Sequence, residues 1–194
     1  MPSRVVGEDE LDEGATMATH VTVKKAQHHA SDAHGVVFIH STSRALCPHL
    51  EWALARVFGV QVAVDWAEQP ISPGALRAEI IWQGPAGTGA RLASALVAFT
   101  PVRHEVTEDA APGRTGERFS ATPSLGLFRG DIGPHGDVMV SEDRLRNAVA
   151  QSSGSGASLT DAIARLVGDP WDAELEPFRF AHEGSTVRVL PQVV

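Results

Sequence analysis

The stretch Gly35 to Gly59, GVVFIHSTSRALCPHLEWALARVFG, runs an unbroken apolar segment straight into an amphipathic one. Val36, Val37, Phe38 and Ile39 follow one another without a polar residue, a pattern a strand tolerates only when both of its faces are covered. Leu46, Leu50, Ala53, Leu54 and Val57 then recur at helical spacing and turn one stripe inward. A buried strand feeding such a helix commits the chain to packed layers of sheet and helix. The turn between them, His40-Ser41-Thr42-Ser43-Arg44, is dense in polar groups and marks the first place to look for a site.

With 194 residues, 43% hydrophobic and 21% charged, the chain is long enough for one well-buried domain or one domain plus an extension. A formal net charge of -8 argues against nonspecific binding to nucleic acid or to an anionic membrane, either of which favours a basic face. Part of that acidity is concentrated in Glu8-Asp9-Glu10-Leu11-Asp12-Glu13, which reads as solvated tail. No apolar run approaches the ~20 residues of a spanning helix, and the start of the chain lacks the regions of a signal peptide. A soluble, cytoplasmic protein is expected. The one cysteine, Cys47, excludes an internal disulfide framework and fits a reducing compartment.

Residues 1–34 lack aromatic residues and sustained periodicity and read as a disordered tail, with Met17 an alternative start of translation. The tail histidines, His28, His29 and His34, read as part of that tail rather than as metal ligands. Residues 35–194 read as a single α+β domain. Val60 to Trp66 alternates as a second strand, Leu76 to Trp82 as a third, and the pair reads as a hairpin. After the glycine-rich break Gly84 to Gly89, Leu92, Ala95, Leu96 and Phe99 mark a second helix, with Thr88 as its N-cap. Val102 to Val106 is a fourth strand. The order strand-helix-strand-strand-helix-strand from Val36 to Thr107 predicts a ferredoxin-like βαββαβ sheet with two helices on one face, with Trp52, Trp66 and Trp82 in or beside its core.

An extension follows over residues 114–194. Short strands in hairpin connection are expected around Arg118-Phe119, Leu125 to Phe128 and Val138 to Val140, and helices begin at Ser141 and Ser158. Ser152 to Gly156 reads as a flexible linker, Trp171 to Glu176 as a further turn of helix and Thr186 to Leu190 as a last strand.

GPAGTGAR, Gly84 to Arg91, follows a strand and opens a helix as a P-loop does, but Ala90 and Arg91 stand where lysine and a magnesium-holding hydroxyl are needed. That argues against ATP or GTP hydrolysis by this loop. If the first and third strands are parallel neighbours, the loops after them emerge at one edge of the sheet. His40, Ser41, Thr42, Ser43 and Arg44 then lie beside Gly87, Thr88, Gly89 and Arg91. Two helix N-termini and two arginines at that edge would suit a phosphate or carboxylate. The simpler account is that the hydroxyls cap helices and the glycines turn the chain.

Cys47 and His49 are the reactive candidates, Cys47 through a thiol pKa lowered at a helix start. The alternative is that Cys47 packs as a small core residue. Cys47-Pro48-His49 with His40 and His104 offers ligand types for zinc without a zinc spacing, so neither a metal nor a cofactor is expected. Asp131, His135 and Asp137 cluster at what reads as a hairpin turn. Glu105 follows His104 on the opposite strand face, which weakens a direct pair between them.

Three phrases together resemble an actinobacterial family of unknown function, DUF3145: Ala45 to Ala53 (ALCPHLEWA), Gly87 to Leu96 (GTGARLASAL) and Asp172 to Arg179 (DAELEPFR). The resemblance runs from about Gly35 to the end and brings no catalytic residues with it. The residues thus read as a non-catalytic module that binds a small anionic metabolite or a protein partner, with the anion edge as its site. One alternative is an enzyme using His40, Cys47, His49 and Arg91 at that edge. Another is a partner-binding surface on an open sheet face carrying Arg77, Glu79, Arg103 and Glu105.

Overall fold

The structure, a computed structural model, describes residues 19–22, 32–155 and 158–180. The expected strand at Thr186 to Leu190 lies outside the described residues, as do His28 and His29. Within them the chain is α+β, with one sheet and five helices. A short strand, β1 (Thr19–Thr22), precedes the long β2 (Asp32–Ser43), which contains the apolar run. The tail expected to be disordered up to His34 is therefore corrected at Thr19–Thr22 and again where β2 begins.

Alternation along β2 sends Ala33, Val37 and Ile39 into one core and leaves Val36 and Phe38 half-buried on the second face. A 3₁₀ turn, Arg44–Leu46, then leads into α1 (Cys47–Phe58). Pro48 sits in the first turn of α1, where a missing N–H costs nothing. Gly59, in the left-handed conformation at φ 72°, ends the helix, and its N–H donates to the Ala55 carbonyl at 2.8 Å. Leu50, Leu54 and Phe58 face the core as their spacing requires, whereas Trp52 is 61% exposed, with the Arg56 guanidinium 4.9 Å from its ring centre. Trp52 thus does not join the core, although Trp82 is buried in it and Trp66 packs against it.

The expected strand from Val60 to Trp66 is absent. The alternation correctly buries Val62 and Val64, but the backbone pairs with no strand until β3 (Ala67–Glu68), two residues long. Glu51 on α1 explains this: its Oε1 accepts the Val64 N–H at 3.2 Å and the Trp66 indole N–H at 2.9 Å. A side chain thereby takes the role of a neighbouring strand. The chain then turns into β4 (Ala75–Pro85), α2 (Thr88–Leu96) and β5 (Arg103–Glu108).

The sheet continues through β6 (Gly116–Thr122), β7 (Gly126–Ile132) and β8 (Val138–Met139), in the order β1–β4–β2–β5–β6–β7–β8, with β3 also beside β4. β1 runs parallel to β4, and every other neighbouring pair is antiparallel. This corrects the expectation of parallel neighbours, because β2 and β4 run in opposite directions, pairing Asp32 with Pro85 and Ser43 with Ala75.

α1 and α2 pack on one face around Val37, Ile39, Ile80, Trp82, Val106 and Phe119. Three more helices follow: α3 (Glu142–Ser155), α4 (Leu159–Val167) and α5 (Asp169–Phe180). α3 extends through the serines expected to form a linker. Ser158 caps α4, its hydroxyl accepting the Asp161 N–H at 3.5 Å. α5 lies on the second face over β6 and β2, so β6 is buried on both sides.

Candidate functional site

The antiparallel pairing of β2 and β4 separates the two halves of the expected anion site. Ser41 to Ser43 lie at the Ala75 end of β4 and the glycine loop at its Pro85 end, ten residue steps or about 33 Å apart. At the glycine loop the donors already hold an anion from the chain itself. The Gly87 N–H donates to Glu108 Oε1 and the Gly89 N–H to Glu108 Oε2, each at 2.9 Å, while Arg114 pairs with Oε1. Gly87 takes φ 82° at the N-cap, and a Cβ on Gly89 would stand 2.9 Å from the Glu108 Cβ. Thr88 is not the cap. It lies in the helix, its hydroxyl donates to the Pro85 carbonyl at 2.6 Å, and Arg91 donates to that same hydroxyl at 2.7 Å.

The other expected site residues also part company. Ser43, Arg44 and His49 are exposed, whereas His40, Ser41 and Thr42 are buried. Cys47 is buried, its thiol donating to the Ser43 carbonyl at 3.7 Å. Burial, with the nearby Glu51 charge, pushes that thiol up, the reverse of activation. An enzyme site joining His40, Cys47 and His49 to Arg91 is therefore not assembled, since Arg91 stands at the other end of the sheet. His135 and Asp137 belong to a turn closed by the Gly133 N–H donating to the Asp137 carbonyl at 2.9 Å, with Gly136 at φ 87°, whereas Asp131 lies on β7 before it, opposite Glu117 and Met139.

The polar centre of the molecule lies on the second face, where an open surface was expected. Glu105 on β5, only 4% exposed, pairs with Phe38 on one side and Ser120 on the other. An extra residue in β2 at His40 makes a bulge, and the carbonyl freed there accepts from the Gln69 amide at 2.6 Å. The His40 ring stacks on Phe38 at 5.8 Å, and its Nε2 lies 2.7 Å from Glu105 Oε2. Arg118 on β6 donates to Glu105 Oε1 at 3.0 Å, and Arg179 on α5 donates to both oxygens, at 2.5 and 2.9 Å. Arg179 also donates to Asp172 at 2.7 Å, and Arg118 pairs with the same carboxylate. Two arginines and two carboxylates thus balance one another.

Burial alone would raise the Glu105 pKa. The hydrogen bond and charge of His40, then those of Arg179, outweigh burial and hold the carboxyl well below its ordinary range. Around this centre Trp171 packs on Phe128 and donates its indole N–H to the Gly126 carbonyl at 2.9 Å, and Leu175 is fully buried. Arg103 pairs with Glu174 at 3.1 Å and lies 4.8 Å from the Phe178 ring centre. The cluster fastens α5 to the sheet. His104, on the same strand, is also buried, and burial followed by the repulsion of His40 pushes its imidazole down to about 4.

Glu108 and Arg118 have no place among the residues expected to form a site, and Glu105 has one only as part of an open sheet face, whereas the structure buries it at the centre of an ionic cluster. A helical signal for their partner element exists: Trp171, Asp172, Leu175, Phe178 and Arg179 fall on one face of α5, mixing charge with apolar bulk where a surface helix separates them.

A different feature marks the periphery. α3 and α4 pack on each other, and Leu145, Val149, Leu159 and Ile163 on them are between 39% and 49% exposed. No residue of α4 is buried, although its apolar residues keep helical spacing.

No curated protein and no solved structure matches this chain. A family model does match residues 36–192, which take in β2 from Val36 onward, the later strands, and the helices α1 to α5. The chain belongs to the family of proteins of unknown function DUF3145.

Proposed function

We propose that the chain is a non-catalytic protein-interaction module that docks through the α3–α4 pair. The observation that carries this reading is the pair of apolar rows, Leu145 with Val149 and Leu159 with Ile163, each at i, i+4 spacing and each exposed. Supporting it, the charged groups best suited to ligand chemistry are engaged internally: Glu108 by two amides and Arg114, and Glu105 by His40, Arg118 and Arg179. A photo-crosslinking residue placed at Ile163 in the cells that make the protein tests the reading. A discrete crosslinked species is expected from position 163 and not from the exposed Trp52. The same products from both positions, or none from 163, would reject it.

We also read β2–α1–β3–β4–α2–β5 as a ferredoxin-like unit grown at one edge by β6, β7 and β8. The strand order β3–β4–β2–β5, with both helices on one face, supports this. A cytoplasmic location is part of the same reading and is supported by the free, buried thiol of Cys47.

A further inference from the structure

We infer that the partner of the α3–α4 pair is a second copy of the same chain, the two pairs meeting about a twofold axis to close a four-helix bundle. This rests on the docking reading above and adds the identity of the occupant. α3 ends at Ser155 and α4 begins at Leu159, a connection short enough to make the helices antiparallel neighbours. Two such helices, packed together and each bearing an apolar row on its exposed side, are half of a four-helix bundle. The other half can be supplied by the same surface in an isologous contact.

Charge favours a like partner. Between Glu142 and Val167 the acidic residues are Glu142, Asp143 and Asp161 and the basic ones Arg144, Arg146 and Arg165, so this segment is neutral in a chain of net charge -8. Two copies can therefore meet here without the repulsion that their other surfaces generate. A strongly basic or strongly acidic partner would find no complementary field on this surface. Arg146 and Glu142, paired at 2.5 Å, already show the mixed-sign character of the rim.

Size sets the strength. Helices of 14 and 9 residues, about 21 and 14 Å long, present a face of roughly 400 Å² per copy, below the usual ~800 Å² of a stable interface. The association is accordingly reversible and concentration-dependent in the micromolar range.

Light scattering after size exclusion, with the full chain loaded from about 5 to about 500 μM, tests it. The mass should rise from 20.6 kDa toward twice that value. Leu145→Glu with Ile163→Glu should hold the mass at the monomer value with an unchanged circular dichroism spectrum, and its melting temperature should not rise with concentration as that of the wild type does. Trp52→Ser should dimerise as the wild type does. A wild type that stays monomeric throughout, or a double variant that dimerises equally, overturns the inference. A monomeric wild type that still crosslinks from position 163 to another protein overturns self-association and leaves the docking reading standing. No crosslink and no dimer reject both.

Discussion

Glu108 Oε2 accepts the Gly89 N–H at 2.9 Å, so the glycine loop that resembles a phosphate cradle is closed by a carboxylate 19 residues further along the chain. The physics that would recruit an external anion is present, namely free amides at a helix N-terminus with an arginine nearby. Its occupant is internal.

Removing that occupant should reveal the cradle. Glu108→Ala leaves two amides and Arg114 without their partner and is expected to cost about 3 kcal/mol. In that variant sulfate should raise the melting temperature above a matched chloride control, while the wild type shows no difference. Sulfate stabilisation of the wild type would mean that Glu108 does not fill the loop.

The Glu105 cluster predicts a dependence on acid. Its carboxyl is held well below the ordinary value in the folded state, so the unfolded chain takes up that proton first as pH falls. The stabilisation is full above the unfolded carboxylate pKa, about 4.3, and is lost as pH drops through the folded value. Arg179→Ala strips a partner from a buried charge and should cost about 3–5 kcal/mol near neutral pH. Urea midpoints at neutral and acid pH should show a smaller acid loss in Glu105→Gln than in the wild type. Equal losses in both would remove Glu105 as the source.

His104 has the same sign by a different cause. Burial and His40 depress its pKa to about 4, so the unfolded imidazole binds a proton from about 6.5 downward while the folded one does not. Stability should fall by up to about 3 kcal/mol between those values. The ring-proton resonance of His104 should stay fixed in NMR spectra from about pH 8 to about pH 5. A midpoint near 6.5 would contradict the burial argument.

Glu51→Ala should cost about 1–2 kcal/mol by leaving the Val64 N–H and the Trp66 indole N–H without an acceptor. Glu51→Gln, which keeps a carbonyl oxygen, should recover most of that loss. Fluorescence resolved by tryptophan substitution should show Trp66 shifting to longer wavelength in the alanine variant only.

The apolar pattern carried the fold further than the site. Val37, Ile39, Leu50, Leu54, Leu92 and Leu96 take the inward positions that their periods of two and 3.6 demand. Val60 to Trp66 shows where that reasoning stops: alternation fixes which side chains are buried, and a distant acceptor, Glu51, decides whether the backbone is a strand. The same holds for Glu105 and Glu108. Each lies on β5, and the partners that give it meaning stand 65, 13 and 74 positions from Glu105 and 21, 19 and 6 from Glu108. Pairing of that kind depends on strand direction, which periodicity does not encode. Reading β2 and β4 as parallel brought two loops together that the chain keeps at opposite ends.

The order in which the second face is built follows from the place of α5 in the chain. Ribosomal synthesis delivers β5 and β6, with Glu105 and Arg118, well before Asp172 and Arg179 emerge. Until then these charges remain hydrated on an uncovered sheet, and α1 and α2 can already have closed the opposite core. A nascent chain that folds as it emerges would therefore be finished on one side and wet on the other until α5 arrives. A stalled or truncated chain ending before α5 would display Phe128, and a Glu105 held by His40 and Arg118 without Arg179, to the chaperones and proteases that survey such surfaces.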